Sequence, residues 1–337
     1  MSDKILLSHG SGGLMSDRLI REMFLTYFDN NYLSELSDSA LLPADMQKIS
    51  FTTDSYVVDP VFFPGGNIGK LAVCGTVNDL AVSGATPKYI SAGFILEEGL
   101  PMKDLEKIVR SMAGEAKKAG VKVVTGDTKI VNKGKADKIF INTAGVGFLS
   151  EKYAHISAGE NIRSGDKIIV NGAVGDHGVA VMSAREELKI SNQVYSDCAS
   201  LNHLIKKVLE KCEGVKFMRD LTRGGLASVL AEIVEYRNFG IRFSETAVPV
   251  SEKVQALCEM LGFDPLYLAN EGKIVMIVSS EEAESILEEM KKDPLGKESS
   301  IIGEIKNTNQ GKVVMETEIG GSRIVDKITG EQLPRIC

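Results

Sequence analysis

The sequence of 337 residues has no tryptophan, four histidines and only five cysteines, none of them in a C-x-x-C pair. The cysteines are Cys74, Cys198, Cys212, Cys258 and Cys337. An odd number of scattered cysteines argues against a disulfide framework, and the histidines form no pattern typical of a zinc site. We therefore expect reduced thiols and a cytoplasmic location.

Long apolar runs are also missing. The N-terminal stretch lacks the apolar region of a signal peptide, and no run of 18 apolar residues occurs, so we expect no membrane partner. Lysine and arginine number 39 against 46 aspartates and glutamates, which gives a net charge of −7. This charge argues against nucleic acid as a partner, whereas backbone N–H groups can still hold small anions.

The chain instead alternates strand and helix patterns in two halves. Because the alternation is irregular, an α+β fold of two mixed α/β-sandwich domains fits better than a doubly wound parallel sheet. The turn-rich residues 154–167 place a boundary near residue 155. We expect domains at residues 1–155 and 156–326, followed by a mobile tail at residues 327–337.

Several helices carry recognisable start or stop signals. A helix is predicted over residues 101–120, with a proline near its start and a glycine at its end. Residues 16–28, 67–85 and 197–211 are also predicted as helices, and the second of these is rich in small residues.

Three aspartates stand in apolar surroundings. Asp54 interrupts the strand FTTDSYVV, Asp79 lies in the small-residue helix beside Asn78, and Asp127 lies in VVTGDTKIV. Each alone is compatible with a turn or a helix cap. Because an unpaired buried carboxylate is costly, the three together indicate a shared cation. Oxygen ligands without histidine or cysteine are typical of Mg²⁺ that holds substrate phosphates, so we predict a magnesium site.

A bound nucleotide needs hydrogen-bond donors for its phosphate groups. Two stretches resemble familiar nucleotide-binding motifs but do not match them. GGNIGKL is one residue short of a P-loop, and GSGGLM lacks the third glycine of a dinucleotide fingerprint. The segment HGSGG can form a backbone nest, and RDLTRGGL predicts a helix start capped by Asp220 or Thr222 that favours anions. Lysines and arginines, including Lys129, can add charge. The residues predicted to bind the cofactor are Gly10, Ser11, Gly12, Gly13, Lys70, Asn78, Arg219, Asp220 and Arg223.

The chain ends in GEQLPRIC, which places Cys337 last. Residues 336 and 337 are compatible with small hydrophobic groups tucked against an ordered surface. The alternative is a mobile tail that carries a reactive sulfur.

Taken in order along essentially the whole chain, the recognisable stretches are HGSGG, TTDSYVV, FFPGGNIGKLAVCGTVNDLAVSGA, VVTGDTK, FINTAGVG, RDLTRGGL, DPLYLANEGK and EQLPRIC. Together they closely resemble the HypE family of [NiFe]-hydrogenase maturation factors. Its superfamily includes aminoimidazole ribonucleotide synthetase, selenophosphate synthetase and thiamine monophosphate kinase. The resemblance implies a homodimer whose N-terminal domains contribute strands to a shared β-barrel, with ATP and Mg²⁺ bound between domains.

The resemblance also implies a reaction. HypF would carbamoylate Cys337, ATP-dependent dehydration would convert the carbamoyl group to a thiocyanate, and the HypC–HypD complex would accept the cyano group for its iron. Asp54, Asp79 and Asp127 match the metal–ATP acids, with Asp79 also catalytic. Lys129 and Glu271 match polar residues near the reacting tail, and Glu271 is a candidate base.

Two alternatives remain open. A small-molecule kinase or a selenophosphate-synthetase-like phosphotransferase would use the same acids. The latter needs a thiol in the N-terminal glycine-rich segment, whereas the first cysteine here is Cys74. A non-catalytic assembly factor would bind nucleotide without releasing phosphate.

Overall fold

The structure, a computed structural model, describes residues 13, 14, 17, 21, 40–43, 48–185 and 193–330. Within these residues the chain has a mixed α/β fold with two large sheets, a two-stranded ribbon and seven α-helices. The helix predicted over residues 16–28 falls almost wholly outside the described residues. Gly10, Ser11, Gly12 and Cys337 also lie outside them.

The N-terminal half forms a five-stranded sheet with the order β1-β2-β7-β5-β6, in which only β5 and β6 pair in parallel. Its elements are β1 (Ala40–Pro43), β2 (Lys48–Tyr56), β3 (Phe62–Phe63), β4 (Gly66–Asn67), α1 (Ile68–Val82), β5 (Thr86–Glu97), α2 (Met102–Ala119), β6 (Lys122–Val131) and β7 (Ile139–Leu149). β3 and β4 form the separate ribbon.

Helix α2 confirms the sequence signals at both ends. Its N-cap is Pro101, and Gly120 ends it in the left-handed conformation with φ +72°. A residue with a side chain is strained at that angle, so glycine is the natural stop.

Helix α1 lies at the centre of the molecule and is buried on nearly all sides. Asn67 caps its start by accepting hydrogen bonds from the N–H groups of Gly69 (2.9 Å) and Lys70 (3.1 Å). Gly75 packs so closely on the Tyr56 hydroxyl that a side chain would collide with it. At the other end, Ala81 belongs to a hydrophobic cluster of the C-terminal half. The small residues therefore let α1 contact both halves.

The other face of the five-stranded sheet is open among the described residues. Three large apolar side chains on it, Phe51, Tyr89 and Ile95, are 40–43% exposed. The edge strand β6 is exposed along nearly its whole length. β1 and β6 do not pair, so the sheet does not close into a barrel within the described part of this single chain.

The C-terminal half forms a seven-stranded sheet with the order β14-β13-β10-β12-β8-β11-β9. Its elements are β8 (Lys167–Val170), α3 (Asp176–Arg185), α4 (Asn202–Lys211), β9 (Val215–Asp220), α5 (Gly225–Val234), β10 (Gly240–Ser244), α6 (Glu252–Leu261), β11 (Ile274–Val278), α7 (Ala283–Lys291), β12 (Ser300–Lys306), β13 (Val313–Glu316) and β14 (Ser322–Val325). Short 3₁₀ helices occur at Glu151–Tyr153, Glu245–Ala247, Pro265–Tyr267 and Pro294–Gly296.

Strand β11 is buried throughout because helices cover both faces of this sheet. Val275 and Ile277 pack in the layer that contains α5. The alternate residues of the strand, Ile274, Met276 and Val278, pack against α4 and α7. Alternating residues of a strand point to opposite faces, so a strand between two helical layers is apolar throughout.

None of the described helices has the length and apolar character needed to span a bilayer.

The helix predicted over residues 197–211 is wrong in its first part. The structure begins α4 at Asn202, and residues 196–201 form an irregular segment, here called the clamp segment. Several polar groups of this segment bind partners far away in the chain, so they do not contribute to a helix. Strand β14 was not predicted.

Candidate functional site

Two motifs of the C-terminal half meet in space. Residues 268–273, here called the Glu271 turn, lie against the loop that precedes α5. The N–H of Leu221 donates to the carbonyl of Lys273 (3.0 Å), and the N–H of Asn270 donates to the carbonyl of Leu221 (3.0 Å). Gly225 has φ +60° and packs directly on the backbone of residues 266–268, where a side chain would not fit. RDLTRGGL and LANEGK are thus parts of one site.

Asn270 holds this junction together. Its side chain is fully buried, accepts from the N–H of Gly175 (2.8 Å), and donates to the carbonyls of Leu221 and Leu268. A buried amide with these partners fixes three segments at once. The sequence signal was weak, because an asparagine in a polar turn is common.

Helix α1 adds Asn78 to the same site. The side-chain oxygen of Asn78 accepts from the N–H of Leu201 (2.8 Å), and its amide donates to the carbonyls of Ala199 (3.0 Å) and Glu271 (3.4 Å). Asn78 was predicted as a cofactor-binding residue. In the structure its polar atoms bind the clamp segment and the Glu271 turn, so it joins the two halves of the chain.

Glu271 is the most unusual carboxyl group of the site. Its side chain is 3% exposed, and its Oε1 atom has no hydrogen-bond partner among the described residues. Burial raises its pKa well above the usual value, and the nearby negative charges of Asp220, Asp197 and Asp54 raise it further. A buried carboxyl group whose pKa is raised in this way is a candidate for proton transfer.

Asp54 and Asp79 lie on the side of the sheet that α1 covers. The hydroxyl of Thr52 donates to Asp79 Oδ2 (2.8 Å), and Asp54 follows Thr52 by two residues on the same face of β2. Burial raises the pKa of Tyr56, and the charges of Asp54, Asp79 and Glu271 raise it further. The three acids therefore all act electrostatically on the buried hydroxyl group of Tyr56.

Asp127 lies on the opposite face of the sheet. Strand register places Asp127 in one row with Gly93, Asn142 and Ser55, whereas Asp54 belongs to the adjacent row. Asp127 is exposed and pairs with Lys129 (3.1 Å), whose hydrogen bond lowers the aspartate's pKa. Among the described residues no group of three acidic, histidine or cysteine side chains is arranged to hold a metal ion. A single chain thus does not bring Asp127 to the other two aspartates.

The predicted cations are dispersed. Lys70 Nζ donates to the carbonyl of Gly65 (3.1 Å) and lies close enough to Cys198 to influence its pKa. Arg219 pairs with Glu232 (3.3 Å), Lys129 is exposed beside Asp127, and Arg223 is exposed. Lys70 thus acts electrostatically on a thiol at the buried centre of the site.

The start of α5 differs from the sequence prediction. Its N-cap is Gly224 at φ +74°, without a side-chain cap from Thr222 or Asp220. Asp220 is nevertheless buried at the end of β9, where its charge acts on Glu271.

The four described cysteines are all free and buried. Cys74 and Cys198 lie together beside the Glu271 site, and the hydrogen bond of the Cys198 thiol with Cys74 and its burial raise the pKa of Cys198 well above its usual value. Buried thiols with raised pKa values are poor nucleophiles. Because all four are buried, none of the described cysteines resembles an accessible carrier thiol.

The segment that leads to Cys337 is anchored at Lys327 and Ile328. Lys327 is buried and pairs with Glu235 (2.8 Å) and Asp17 (3.5 Å). The carbonyl of Ile328 accepts from the N–H of Leu14 (3.2 Å), and Gly13 packs on the same carbonyl so closely that a side chain would collide. The end of the HGSGG motif therefore lies beside the start of the tail.

Sequence reasoning also missed Asp197. Its carboxylate is buried and accepts from the backbone of the Glu271 turn. No local pattern marks this residue, since its partners lie more than 70 positions further along the chain.

Comparison with known proteins places this geometry in a family. The AIR synthase related protein N-terminal domain matches residues 36–149, and the corresponding C-terminal domain matches residues 163–316. In the crystal structure of a HypE–HypF complex, one chain superposes with a TM-score of 0.87 at 51% identity, covering 92% of this chain and 99% of that chain. HypE in complex with ATP gives a TM-score of 0.83 at 47% identity, covering 99% and 100%.

A curated relative agrees with the structural matches. The carbamoyl dehydratase HypE of Cupriavidus necator is 47% identical over 338 residues, which cover 100% of this chain and 95% of that protein. Identity at this level over both halves, together with the shared fold, shows that the chain belongs to the HypE family of carbamoyl dehydratases within the AIR synthase superfamily.

Proposed function

We propose that the chain uses ATP to dehydrate a carbamoyl group carried on the thiol of Cys337, and so supplies the cyanide ligand of the [NiFe]-hydrogenase iron centre. The observation that carries this proposal is the buried carboxyl group of Glu271, whose Oε1 atom lacks a partner among the described residues. It lies where α1, the clamp segment and the loop before α5 meet. The names of the relatives support the reaction, and one solved relative binds ATP.

The first step converts a poor leaving group into a good one. The carbamoyl oxygen of R–S–C(=O)–NH₂ attacks the γ-phosphorus of ATP and an N–H proton leaves, which gives R–S–C(=NH)–O–PO₃²⁻ and ADP. Most of the catalysis in such a transfer consists of holding the reactants in line and stabilising charge. The residues proposed to bind the nucleotide are Gly10, Ser11, Gly12, Gly13, Lys70, Asn78, Arg219, Asp220 and Arg223, with Lys129 near the reacting group.

The second step forms the cyano group. The remaining N–H proton is removed while the C–O bond breaks, which releases phosphate and leaves R–S–C≡N. We assign Glu271 as the acceptor of one of the two protons. Because its pKa is raised, the ionised form of Glu271 is a stronger base than an ordinary carboxylate, but its protonated form cannot accept a proton. Dehydration should therefore slow as the pH falls.

The donor set fits Mg²⁺ in part. Asp54 and Asp79 offer carboxylate oxygens on one side of β2, and both influence Tyr56. Bound there, Mg²⁺ would neutralise phosphate charge. Asp127 stays a prediction as a third ligand, because it lies on the opposite face of the sheet.

The partners follow from the same proposal. A relative crystallised with HypF supports HypF as the source of the carbamoyl group, and the HypC–HypD complex is the proposed acceptor of the cyano group. The open face of the five-stranded sheet, with Phe51, Tyr89 and Ile95, supports a homodimer that closes a shared barrel. The domain boundaries near residues 155 and 326, the mobile tail and a cytoplasmic location remain predictions.

The test is to follow the C-terminal peptide of the carbamoylated full-length chain by mass spectrometry. Adding ATP should remove one water from that peptide and release phosphate. Glu271→Gln should abolish water loss, whereas Glu289→Gln, which alters a buried glutamate paired with Lys211 and Lys292, should not. A small-molecule kinase would form ADP without changing the tail, and a scaffold would release no phosphate; either result contradicts the proposal.

A further inference from the structure

The position of Glu271 is set by its backbone. Its Oε1 atom has no partner among the described residues, so hydrogen bonds of that atom do not fix the side chain. Both peptide groups that flank Glu271 are instead bound. The clamp segment supplies Ala199, whose N–H donates to the Glu271 carbonyl (3.3 Å), and α1 supplies the amide of Asn78 to the same oxygen (3.4 Å).

On the other side of Glu271, the carboxylate of Asp197 binds two consecutive N–H groups. Asp197 Oδ1 accepts from Glu271 (3.0 Å), and Oδ2 accepts from Gly272 (3.2 Å). Lys273 Nζ also pairs with Oδ2 (3.2 Å). A carboxylate that accepts three donors from three successive residues fixes both the place and the orientation of the backbone.

Asp197 is itself held rigidly. Its side chain is 2% exposed, and Gly272 packs on its backbone carbonyl so closely that any larger residue would collide. The next residue, Cys198, donates its N–H to the hydroxyl of Ser196 (3.1 Å), and Leu201 is bound by Asn78. Hydrogen bonds and close packing therefore hold the clamp segment in place on both sides of Asp197.

Asp197 influences Glu271 through its charge as well as through hydrogen bonds. Asp197 places a negative charge near Glu271. Asp220, Asp54 and Cys74 also act electrostatically on Glu271. On its other side Asp197 faces Lys273 and Asp176. Asp197 therefore acts on Glu271 in two ways, through the hydrogen bonds to its backbone and through its charge.

We propose that Asp197 is a positioning residue for the dehydration, which holds the Glu271 turn so that the Glu271 carboxyl group meets the carbamoyl nitrogen. This inference rests on the proposed function. Catalysis is sensitive to such support because a displacement of about 1 Å at the reacting group can lower a rate roughly 100-fold.

The test compares Asp197→Asn with Asp166→Asn. Asparagine at position 197 keeps one acceptor oxygen but presents an NH₂ group to the second N–H and to Lys273. Asp166 is a matched control, since it is also buried, accepts from the backbone N–H of Arg163 (2.6 Å) and pairs with Lys216 (2.7 Å). It lies at the start of β8, apart from the Glu271 turn.

The full-length chain carbamoylated on its C-terminal peptide is used for kcat and for the KM of ATP, with thermal unfolding measured in parallel. For Asp197→Asn we expect kcat to fall at least about tenfold while KM stays within about twofold, because uniform binding is kept and transition-state positioning is lost. Asp166→Asn should keep both constants within about twofold of the wild-type values.

Equal kinetic constants for Asp197→Asn and the wild type would overturn the proposal, as would an equal loss of kcat in Asp166→Asn. A rise of the KM of ATP without a change of kcat would also overturn it, by assigning Asp197 to nucleotide binding. Glu271→Gln is measured alongside: if it retains full turnover, the proposed function fails, independently of the result at position 197.

Discussion

The N–H of Leu14 donates a hydrogen bond to the carbonyl of Ile328 across 3.2 Å, which joins the end of the glycine-rich N-terminal motif to the start of the C-terminal tail. From this anchor nine residues, 329–337, lead to Cys337. Fully extended, nine residues span at most about 30 Å. The proposed carrier thiol is therefore tethered, and its encounter with a site on its own chain is intramolecular.

The first prediction concerns Cys337. Cys337→Ala should leave fold and ATP binding intact but abolish carbamoyl acceptance, because the four described cysteines are buried. Mass spectrometry of the tail peptide after incubation with HypF measures the effect, and Cys212→Ala serves as the control. Adding one or two residues after Cys337 should also impair the reaction. A carbamoyl group found on Cys74, Cys198, Cys212 or Cys258 would show that the tail is not the carrier.

The second prediction concerns the magnesium-binding acids. Asp79→Asn should lower ATP hydrolysis roughly 100-fold, since one charge that would hold the cation is lost. The fold should survive because asparagine can still accept the hydrogen bond from Thr52. Phosphate release measures the rate and circular dichroism checks the fold. Asp104→Asn, in the first turn of α2, is the control. Unchanged turnover in a folded Asp79→Asn protein would remove Asp79 from the mechanism.

The third prediction concerns assembly. Ile95 is 43% exposed on the open face of the five-stranded sheet, so Ile95→Lys should weaken the proposed homodimer by placing a charge in an apolar interface. Multi-angle light scattering measures the mass in solution. Ile319 is 95% exposed in the turn between β13 and β14, and Ile319→Lys should leave the mass unchanged. A wild-type chain that is monomeric at micromolar concentration would rule out this dimer.

The fourth prediction concerns the pH dependence of stability. Burial, with Asp197 nearby, raises the pKa of Asp176 from 3.8 to about 6. A carboxyl group with a raised pKa contributes its full stability below the unfolded value, and this contribution is lost as the pH rises through the folded value. Asp176→Asn should therefore raise the Tm relative to the wild type more at about pH 7.5 than at about pH 4.

Thermal unfolding at the two pH values measures this difference. Glu160→Gln, which changes an exposed acid in a surface turn, should give the same small effect at both. An equal effect of Asp176→Asn at both pH values would show that Asp176 ionises alike in the folded and unfolded chains.

Elements with strong local signals were predictable. Helix α6 begins after Ser251, whose hydroxyl accepts from the N–H of Val254 (3.3 Å), and it ends at Gly262 with φ +74°. Capping involves residues within four positions of each other, so the sequence carries the information directly. The motif stretches likewise identified the family, and Glu271 lies in one of them.

Other features depended on distant partners. The helix expected from residue 197 starts only at Asn202, because Leu201 binds Asn78 and Asp197 binds the Glu271 turn. The separation of Asp127 from Asp54 follows from strand register, and a shift of one residue would reverse it.

The sequence by itself determined the positions of most helices and strands, the acidic and glycine-rich motifs, and the family. Tertiary structure alone decided which of the acids share a face and that Asp197 holds the backbone of Glu271. It also decided that Glu271 is buried with one oxygen that has no hydrogen-bond partner in the part of the chain that the structure describes. The physical reason is the distance along the chain between the residues that interact. Helix caps and hydrophobic periodicity act over a few residues, whereas burial and long-range hydrogen bonds exist only once segments more than 70 positions apart have packed together.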